Sequence, residues 1–382
     1  MNYIHIYFYL LIFLISCKSP TAPDITSVNL FIYIAGDNNL YKDAIKNIND
    51  MEKAVNDNIN VIVYFDSAEG YSVIFEVQKD YTDSIKSKIV ASYNKDNSAS
   101  PEILDRFLNY CFKNYNAKET GIVLWSHGSG FLPAYYEENI NTMSFGLDNN
   151  DRMDIKDLSK ILNKYKSDFL IFDACYMADI ETIYEIRTTS KYILASQTEI
   201  LAAGYPYFNV INTLSENDNL INRLKQLCYD YYNYYNSKEN EFEKSASISL
   251  IDTSKINFFS KKFVDFYNEV LDKYGIEALT NYIDSVQQAG DNSIYRNKKY
   301  DMMDWAITIG NNYDNIQNFN EFTASYSNII IYNTNTEYMF STFSIDKCSG
   351  LNFYIPYMKD DYAYNYYIET SWNKEVKFDK IF

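Results

Sequence analysis

The chain has 382 residues, 47% of them hydrophobic and 22% charged, a composition that excludes disordered, collagen-like and multispan membrane proteins. Its 51 acidic and 34 basic residues give a net charge of -17, which repels a phosphate backbone: nucleic acid is not an expected partner, whereas a cationic or peptide substrate is readily accommodated. The length suits two domains or one large α/β unit.

Ile4 to Ile15 is almost wholly apolar and runs into Leu14-Ile15-Ser16-Cys17. About 12 apolar residues are too few for a membrane-crossing helix, which needs roughly 20, so the segment reads as an export signal. Leu14 to Cys17 resembles a bacterial lipobox, whose Cys is acylated and becomes the new N-terminus. A plain secretory signal is the alternative, because only His5, and no Lys or Arg, stands at the head of the apolar run. Residues 1–17 are therefore read as a lipoprotein signal with Cys17 lipidated. Residues 18–27, with Pro20 and Pro23, read as a tether holding a folded domain off a membrane. The expected location is the cell envelope or the exterior. Without the signal, His127 is the one remaining histidine, which excludes His-rich zinc sites and mechanisms needing two imidazoles. Cys111, Cys175, Cys228 and Cys348 are widely spaced and form no Cys-x-x-Cys, so neither a zinc ribbon nor a redox pair is indicated.

Val28 to Ala35 reads as a buried strand and Gly36-Asp37-Asn38-Asn39 as the turn after it. Leu40, Ala44, Ile48, Met51 and Val55 then form one helical stripe. Ile59 to Phe65 is a second buried strand, and Tyr71 to Val77 is expected beside it at the sheet edge. Ser100-Pro101 opens a helix with a Ser cap and Pro in the first turn, turning Leu104, Phe107, Leu108 and Cys111 inward. Gly121 to Ser126 and Phe169 to Phe172 read as central strands. Between them Asp154 starts a helix with Ile155, Leu158, Ile161 and Leu162 on its apolar face, and Tyr192 to Ser196 is a further strand. Strands alternating with helices over residues 28–212 predict an α/β core: a mostly parallel sheet flanked by helices. Residues 213–382 read as a mixed α/β region completing or packing on that core. It holds a helix with Cys228 on its buried side, a strand from Ala246 to Ile251, a mainly helical stretch from Ile256 to Gln288, and two short strands between Phe340 and Pro356.

His127 directly follows one central strand and opens Gly128-Ser129-Gly130; Cys175 directly follows another, in Asp173-Ala174-Cys175. Ligands of open parallel sheets bind at the carboxyl ends of the strands, so the two side chains are expected to face one crevice. Such a pair suits nucleophilic attack on an acyl group. A thiol of pKa near 8.5 needs a base, and the imidazole can then protonate the leaving amine. The glycines after His127 let a backbone amide approach substrate, which suits an oxyanion hole built from the Gly128 and Cys175 amides. Ser129 lacks the Gly-x-Ser-x-Gly setting of a serine hydrolase.

Trp125-Ser126-His127-Gly128-Ser129-Gly130 and Phe172-Asp173-Ala174-Cys175-Tyr176-Met177-Ala178, with Glu181 after it, resemble the His and Cys motifs of the clostripain family of caspase-like cysteine peptidases. Tyr33 to Leu40 is similar to the family's first strand and turn, Ser249 to Asp252 to a middle strand, and Gly350 to Pro356 to its C-terminal strand. The resemblance implies a caspase-like sheet and endopeptidase cleavage after a basic residue. It implies His127 as the catalytic histidine, Cys175 as the nucleophile and Asp173 as an acid lining the pocket for the basic side chain. One departure stands in Glu199 to Tyr207, where Ala203 replaces an expected acid, leaving Glu199 or Asp173 to compensate. Some members cut themselves between the two motifs. Arg152 and Lys156 are the basic residues available for that in the loop from Phe131 to Asp157, and an uncut surface loop is the alternative. Some relatives use calcium. Asp148, Asn150, Asp151 and Asp154 lack the Gly and distal Glu of the helix-loop-helix calcium loop and read as turn and cap residues, so no metal ligand and no cofactor is assigned, with calcium left open. An inactive surface lipoprotein acting as a binding module, and an acyl transferase or amidase using the same pair, are the rival readings.

Overall fold

Runs of β-branched and aromatic residues build one nine-stranded sheet. The computed structural model describes residues 26–132, 145–149, 151–290, 299–356 and 362–382. The export signal, Cys17, residues 18–25 of the tether and Asn150 lie outside them. Thr26 and Ser27, read above as the end of the tether, already belong to the first strand.

In chain order the strands are β1 (Thr26–Gly36), β2 (Ile59–Ser67), β3 (Tyr71–Glu76), β4 (Lys88–Asn94), β5 (Ala117–Trp125), β6 (Phe145–Asp148), β7 (Asp151–Met153), β8 (Ser167–Asp173), β9 (Ser190–Ala195), β10 (Ser247–Asp252), β11 (Lys299–Asp301), β12 (Ile330–Asn335), β13 (Tyr338–Met339), β14 (Phe343–Ser344) and β15 (Asn352–Tyr354). The large sheet runs β12-β10-β9-β8-β5-β1-β2-β3-β4. Its centre, β9 to β2, is parallel. Antiparallel strands extend it on both sides. The edge expected at Tyr71 to Val77 is one strand further out, at the largely exposed β4. At the other end β10 and β12, from the C-terminal half, pair onto β9 and complete the same sheet.

Period-two alternation sorts side chains onto two faces. Leu30, Ile32 and Ile34 of β1 pack with Ala44, Ile48 and Met51 of helix α1 (Tyr41–Ala54) in one apolar cluster. Phe31, Tyr33 and Ala35 point the other way, onto Leu104, Phe107 and Leu108 of α2 (Pro101–Asn114) and Leu158 of α3 (Ile155–Leu162). Helices α4 (Ile180–Ile186), α5 (Tyr207–Leu214), α6 (Leu220–Asn236), α7 (Ile256–Tyr274), α8 (Met302–Asn312) and α9 (Phe319–Ile329) fill out both layers. A full burial is worth about 1.5–3 kcal/mol for each large apolar side chain, so both faces drive the sheet to form. Cys111 and Cys228 are core residues, one on each face. Ser100 sits at the start of α2, yet its hydroxyl bonds Glu102 and caps no amide, which leaves Pro101 as the start signal that operates. Asp154 does cap α3, accepting from the Lys156 N–H at 2.8 Å. Among the described residues no helix is long and apolar enough to cross a membrane.

Candidate active site

Strands β5 and β8 run side by side in parallel, with Trp125 opposite Asp173. The Ser126 N–H donates to the Asp173 carbonyl at 3.2 Å. His127 and Cys175 therefore leave adjacent strand ends at matching height, on the carboxyl rim of the sheet. The loops that carry them lie against one another. A Cβ on Gly128 would come within 2.8 Å of the Cys175 carbonyl oxygen and 3.0 Å of the Ala174 Cβ, so only glycine allows this approach. Tyr176 takes a left-handed φ of 60°, a conformation costly for an aromatic residue. It is held there because the Tyr176 N–H donates to the Thr198 carbonyl and the Ala178 N–H to the Ser196 carbonyl, both at 2.9 Å. The turn bearing Cys175 is thus clamped to the chain that continues β9.

Both side chains are half-buried, and Cys175 is the one free cysteine among the described residues that is not fully buried. Its Sγ accepts from the Ile200 N–H at 3.3 Å and faces the Ile200 carbonyl oxygen at 3.7 Å. The His127 Nε2 meets Asn39 Oδ1 at 2.8 Å. Each side chain thus makes its described hydrogen bond to a neighbour other than its partner. Burial pushes the Cys175 thiol up to about 12, with the charges of Glu199 and Asp173 adding to it. Burial, and then the Arg152 guanidinium, hold His127 below the ordinary imidazole value. The resting pair is consequently a neutral thiol and a neutral imidazole, not a thiolate and an imidazolium.

The pattern of the clostripain family matches residues 32–382. The chain belongs to the clostripain family. A secreted C11 cysteine protease of Bacteroides thetaiotaomicron, solved with an irreversible peptide inhibitor, superposes with a TM-score of 0.76 at 27% identity, covering 93% of this chain and 100% of that one. An inactive zymogen C11 protease of Parabacteroides distasonis gives 0.75 at 26% identity, covering 93% and 99%. Clostripain of Hathewaya histolytica is 24% identical over 220 residues, covering 49% of this chain and 42% of that protein, so the match spans less than half of that curated relative. The caspase-like sheet expected from the motifs is the fold of these structural neighbours.

Within this clostripain-family site the remaining expected residues occupy distinct settings. Asp173 is buried, and its Oδ2 accepts from the Tyr205 N–H at 3.1 Å and the Tyr207 hydroxyl at 2.9 Å. Burial raises it to about 7. Ala203 is exposed on the turn after β9, its carbonyl accepting from Asn47 Nδ2 at 3.0 Å. Glu199, half-buried, accepts from the Tyr176 hydroxyl at 3.0 Å and is the carboxylate whose charge bears most on Cys175. Arg152 lies on β7 near His127. Lys156 stands in the first turn of α3, its ammonium 4.5 Å from the Tyr366 ring centre. The acidic cluster read from sequence is dispersed: Asp154 caps α3, Asp151 accepts from Asn97 Nδ2, and Asp148 turns inward.

Sequence reasoning passed over two features. Asn39 was read as a turn residue, although its place after β1 puts it on the same rim as His127, a signal the topology rule could have raised. The second is a buried ion pair. Lys299 Nζ lies 2.6 Å from Asp179 Oδ2 and donates to the Ser129 carbonyl at 2.7 Å. The same Asp179 oxygen accepts from the Phe131 N–H at 3.1 Å. Gly130, at φ +71°, passes so close that a Cβ there would lie 1.7 Å from Asp179 Oδ2. This pair fixes the loop after His127 to the loop after Cys175.

Proposed function

We propose that the chain is a cysteine endopeptidase in which Cys175 is the nucleophile, His127 the general base and acid, and the Gly128 and Cys175 amides the oxyanion hole. The observation that carries this is the β5–β8 register, which sets His127 and Cys175 at equal height on one rim. Since the thiol rests protonated, attack is coupled to proton transfer: Sγ bonds to the scissile carbonyl carbon as its proton passes to the imidazole. The tetrahedral oxyanion is held by the two amides. Its collapse expels the amine, which takes the proton back from His127. Water, deprotonated by His127, then cleaves the thioester and releases the acid.

We assign Glu199, with Asp173 beneath the same loop, to a preference for Arg or Lys before the scissile bond. Asp173 is engaged by Tyr205 and Tyr207, whereas Glu199 is half-buried and close to the thiol. A cationic side chain beside Glu199 also cancels the charge that opposes thiolate formation. Of the two basic residues suited to self-cleavage, Arg152 is the better placed, because cutting at Lys156 requires unwinding the first turn of α3. Export is supported by the secreted neighbour, and we place the chain in the cell envelope, lipid-anchored through Cys17, or outside the cell.

The test is a fluorogenic peptide library varied at the residue before the scissile bond, read with the full chain as wild type, Cys175→Ala and Glu199→Gln. Wild type is expected to cleave after Arg and Lys, and Cys175→Ala not at all. Glu199→Gln is expected to lose about tenfold or more of the basic preference while reacting faster with iodoacetamide at Cys175. Absence of cleavage by wild type, before and after nicking by an added protease, would favour the binding-module reading.

A further inference from the structure

The turn between β1 and α1 brings to His127 a side chain that the Cys and His pair leaves without a role. Asn39 Oδ1 lies 2.8 Å from His127 Nε2, although the two residues stand 88 positions apart. An amide oxygen only accepts, so Nε2 carries the proton in this contact and Nδ1 is left as the bare nitrogen. The backbone on both sides of Asn39 is fixed. Asn38 Nδ2 donates to the Ala35 carbonyl at 2.9 Å and to the Leu147 carbonyl at 3.0 Å, while Asn38 Oδ1 accepts from the Leu40 N–H at 2.9 Å. The Ala35 carbonyl also accepts from the hydroxyl of Ser126, the residue before His127, at 2.9 Å. The N–H of Gly146, the residue before Leu147, donates to the His127 carbonyl at 3.0 Å. Two chains of hydrogen bonds, one through Ala35 and one through β6, therefore hold the backbone of Asn39 against that of His127.

We infer that Asn39 is a positioning residue: it holds the His127 ring by its Nε2–H, so that Nδ1 is the atom that takes the Cys175 proton and later gives it to the leaving amine. The role rests on the proposed function of His127 as the base, and it adds which nitrogen acts and what orients it. A ring that presents its protonated nitrogen to the thiol cannot accept a proton from it, so the tautomer decides whether the pair works. In the imidazolium formed during attack both nitrogens are donors, and Asn39 Oδ1 keeps its bond to Nε2–H through the whole cycle without a ring flip. An amide orients the ring without adding the negative charge of a carboxylate, which would hold the imidazole protonated. Asn39 is itself exposed, and a neutral hydrogen bond in that setting adds only about 1 kcal/mol or less to stability. Its contribution is therefore to the orientation of the base and not to the fold.

The test compares the full chain as wild type, Asn39→Ala and Asn39→Asp. His5 and His127 are the two histidines of the chain, so nitrogen NMR of protein labelled in its imidazoles is readable, and His127→Ala assigns the signals. Wild-type His127 is expected to be protonated at Nε2 and bare at Nδ1 above neutral pH, with an Nε2–H protected from exchange with water; Asn39→Ala is expected to lose that protection. Asn39→Ala is also expected to lower kcat about 10- to 100-fold with KM little changed, to slow iodoacetamide alkylation of Cys175 by a similar factor, and to melt with wild type. Asn39→Asp still accepts from Nε2–H and is expected to recover most of the rate. Its acid limb should move up by about one pH unit, since the carboxylate favours the imidazolium that Arg152 opposes. A wild-type His127 protonated at Nδ1, an Asn39→Ala variant with wild-type kcat and alkylation rate, or a loss of rate matched by a fall in Tm would overturn the role. Alkylation needs no substrate: if wild type cleaves no peptide while the NMR and alkylation results hold, the endopeptidase reading fails and the positioning of His127 by Asn39 stands.

Discussion

Lys299→Met is expected to lower stability by roughly 3–5 kcal/mol. Both members of its ion pair are buried, Lys299 at 1% and Asp179 at 0% side-chain exposure, so removing the ammonium strands a carboxylate with no solvent to receive it. The loss extends beyond one contact. Lys299 also caps the Ser129 carbonyl, and Asp179 holds the Phe131 N–H through Oδ2 and the Thr182 N–H, at the start of α4, through Oδ1. Glu181 sits in the same pocket, where burial followed by the Asp179 charge pushes its carboxyl well above the usual range. Thermal unfolding should show the effect as a fall in Tm of about 4–7 °C. Asp179→Asn in the Lys299→Met background is expected to recover part of the loss, because it removes the orphaned charge. A single Lys299→Met variant melting within a degree of wild type would show that the pair is not what joins the two loops.

His127→Ala is expected to reduce kcat/KM by about 1,000-fold or more, and to change the shape of the pH profile. In wild type the base must be unprotonated. Burial and Arg152 hold His127 below the ordinary imidazole value, so the rate should fall only on the acid side of that value and stay level above neutral pH. The thiol, held up to about 12, contributes no limb in the working range. Without the imidazole, thiolate must form by simple ionisation, so the variant's residual rate should climb roughly tenfold per pH unit through the alkaline range. A variant that keeps the wild-type profile would remove His127 from proton transfer. One that merely loses rate with no change of slope would assign it a structural role.

The parallel centre of the sheet was legible because its strands are covered on both faces and so appear as unbroken apolar runs. Phe31 to Ala35, Ile122 to Trp125 and Phe169 to Phe172 are nearly devoid of exposed surface. Strand β4 escaped for the opposite reason: its residues are exposed or half-buried, and Lys88, Ser92 and Asn94 break up the apolar run that marks the central strands. Strand β12, half-buried along its length and ending in Asn333-Thr334-Asn335, gave as little signal. The shared rim position of His127 and Cys175 was legible because a strand end is a local feature and the rule for parallel sheets places both there. The groups that support it were not. Asp179 and Lys299 stand 120 positions apart, a spacing that a single sequence cannot display.

The most direct test of a Cys175 nucleophile activated by His127 is covalent trapping with a peptidyl chloromethyl ketone ending in lysine, followed by mass spectrometry of the digested protein. The expected result is one adduct, on Cys175, formed by wild type at a rate lowered about 100-fold or more by His127→Ala and by Glu199→Gln to a lesser degree, while Cys111, Cys228 and Cys348 stay unmodified in their buried positions. An adduct on another residue, or trapping of Cys175 that proceeds equally fast without His127, would contradict it.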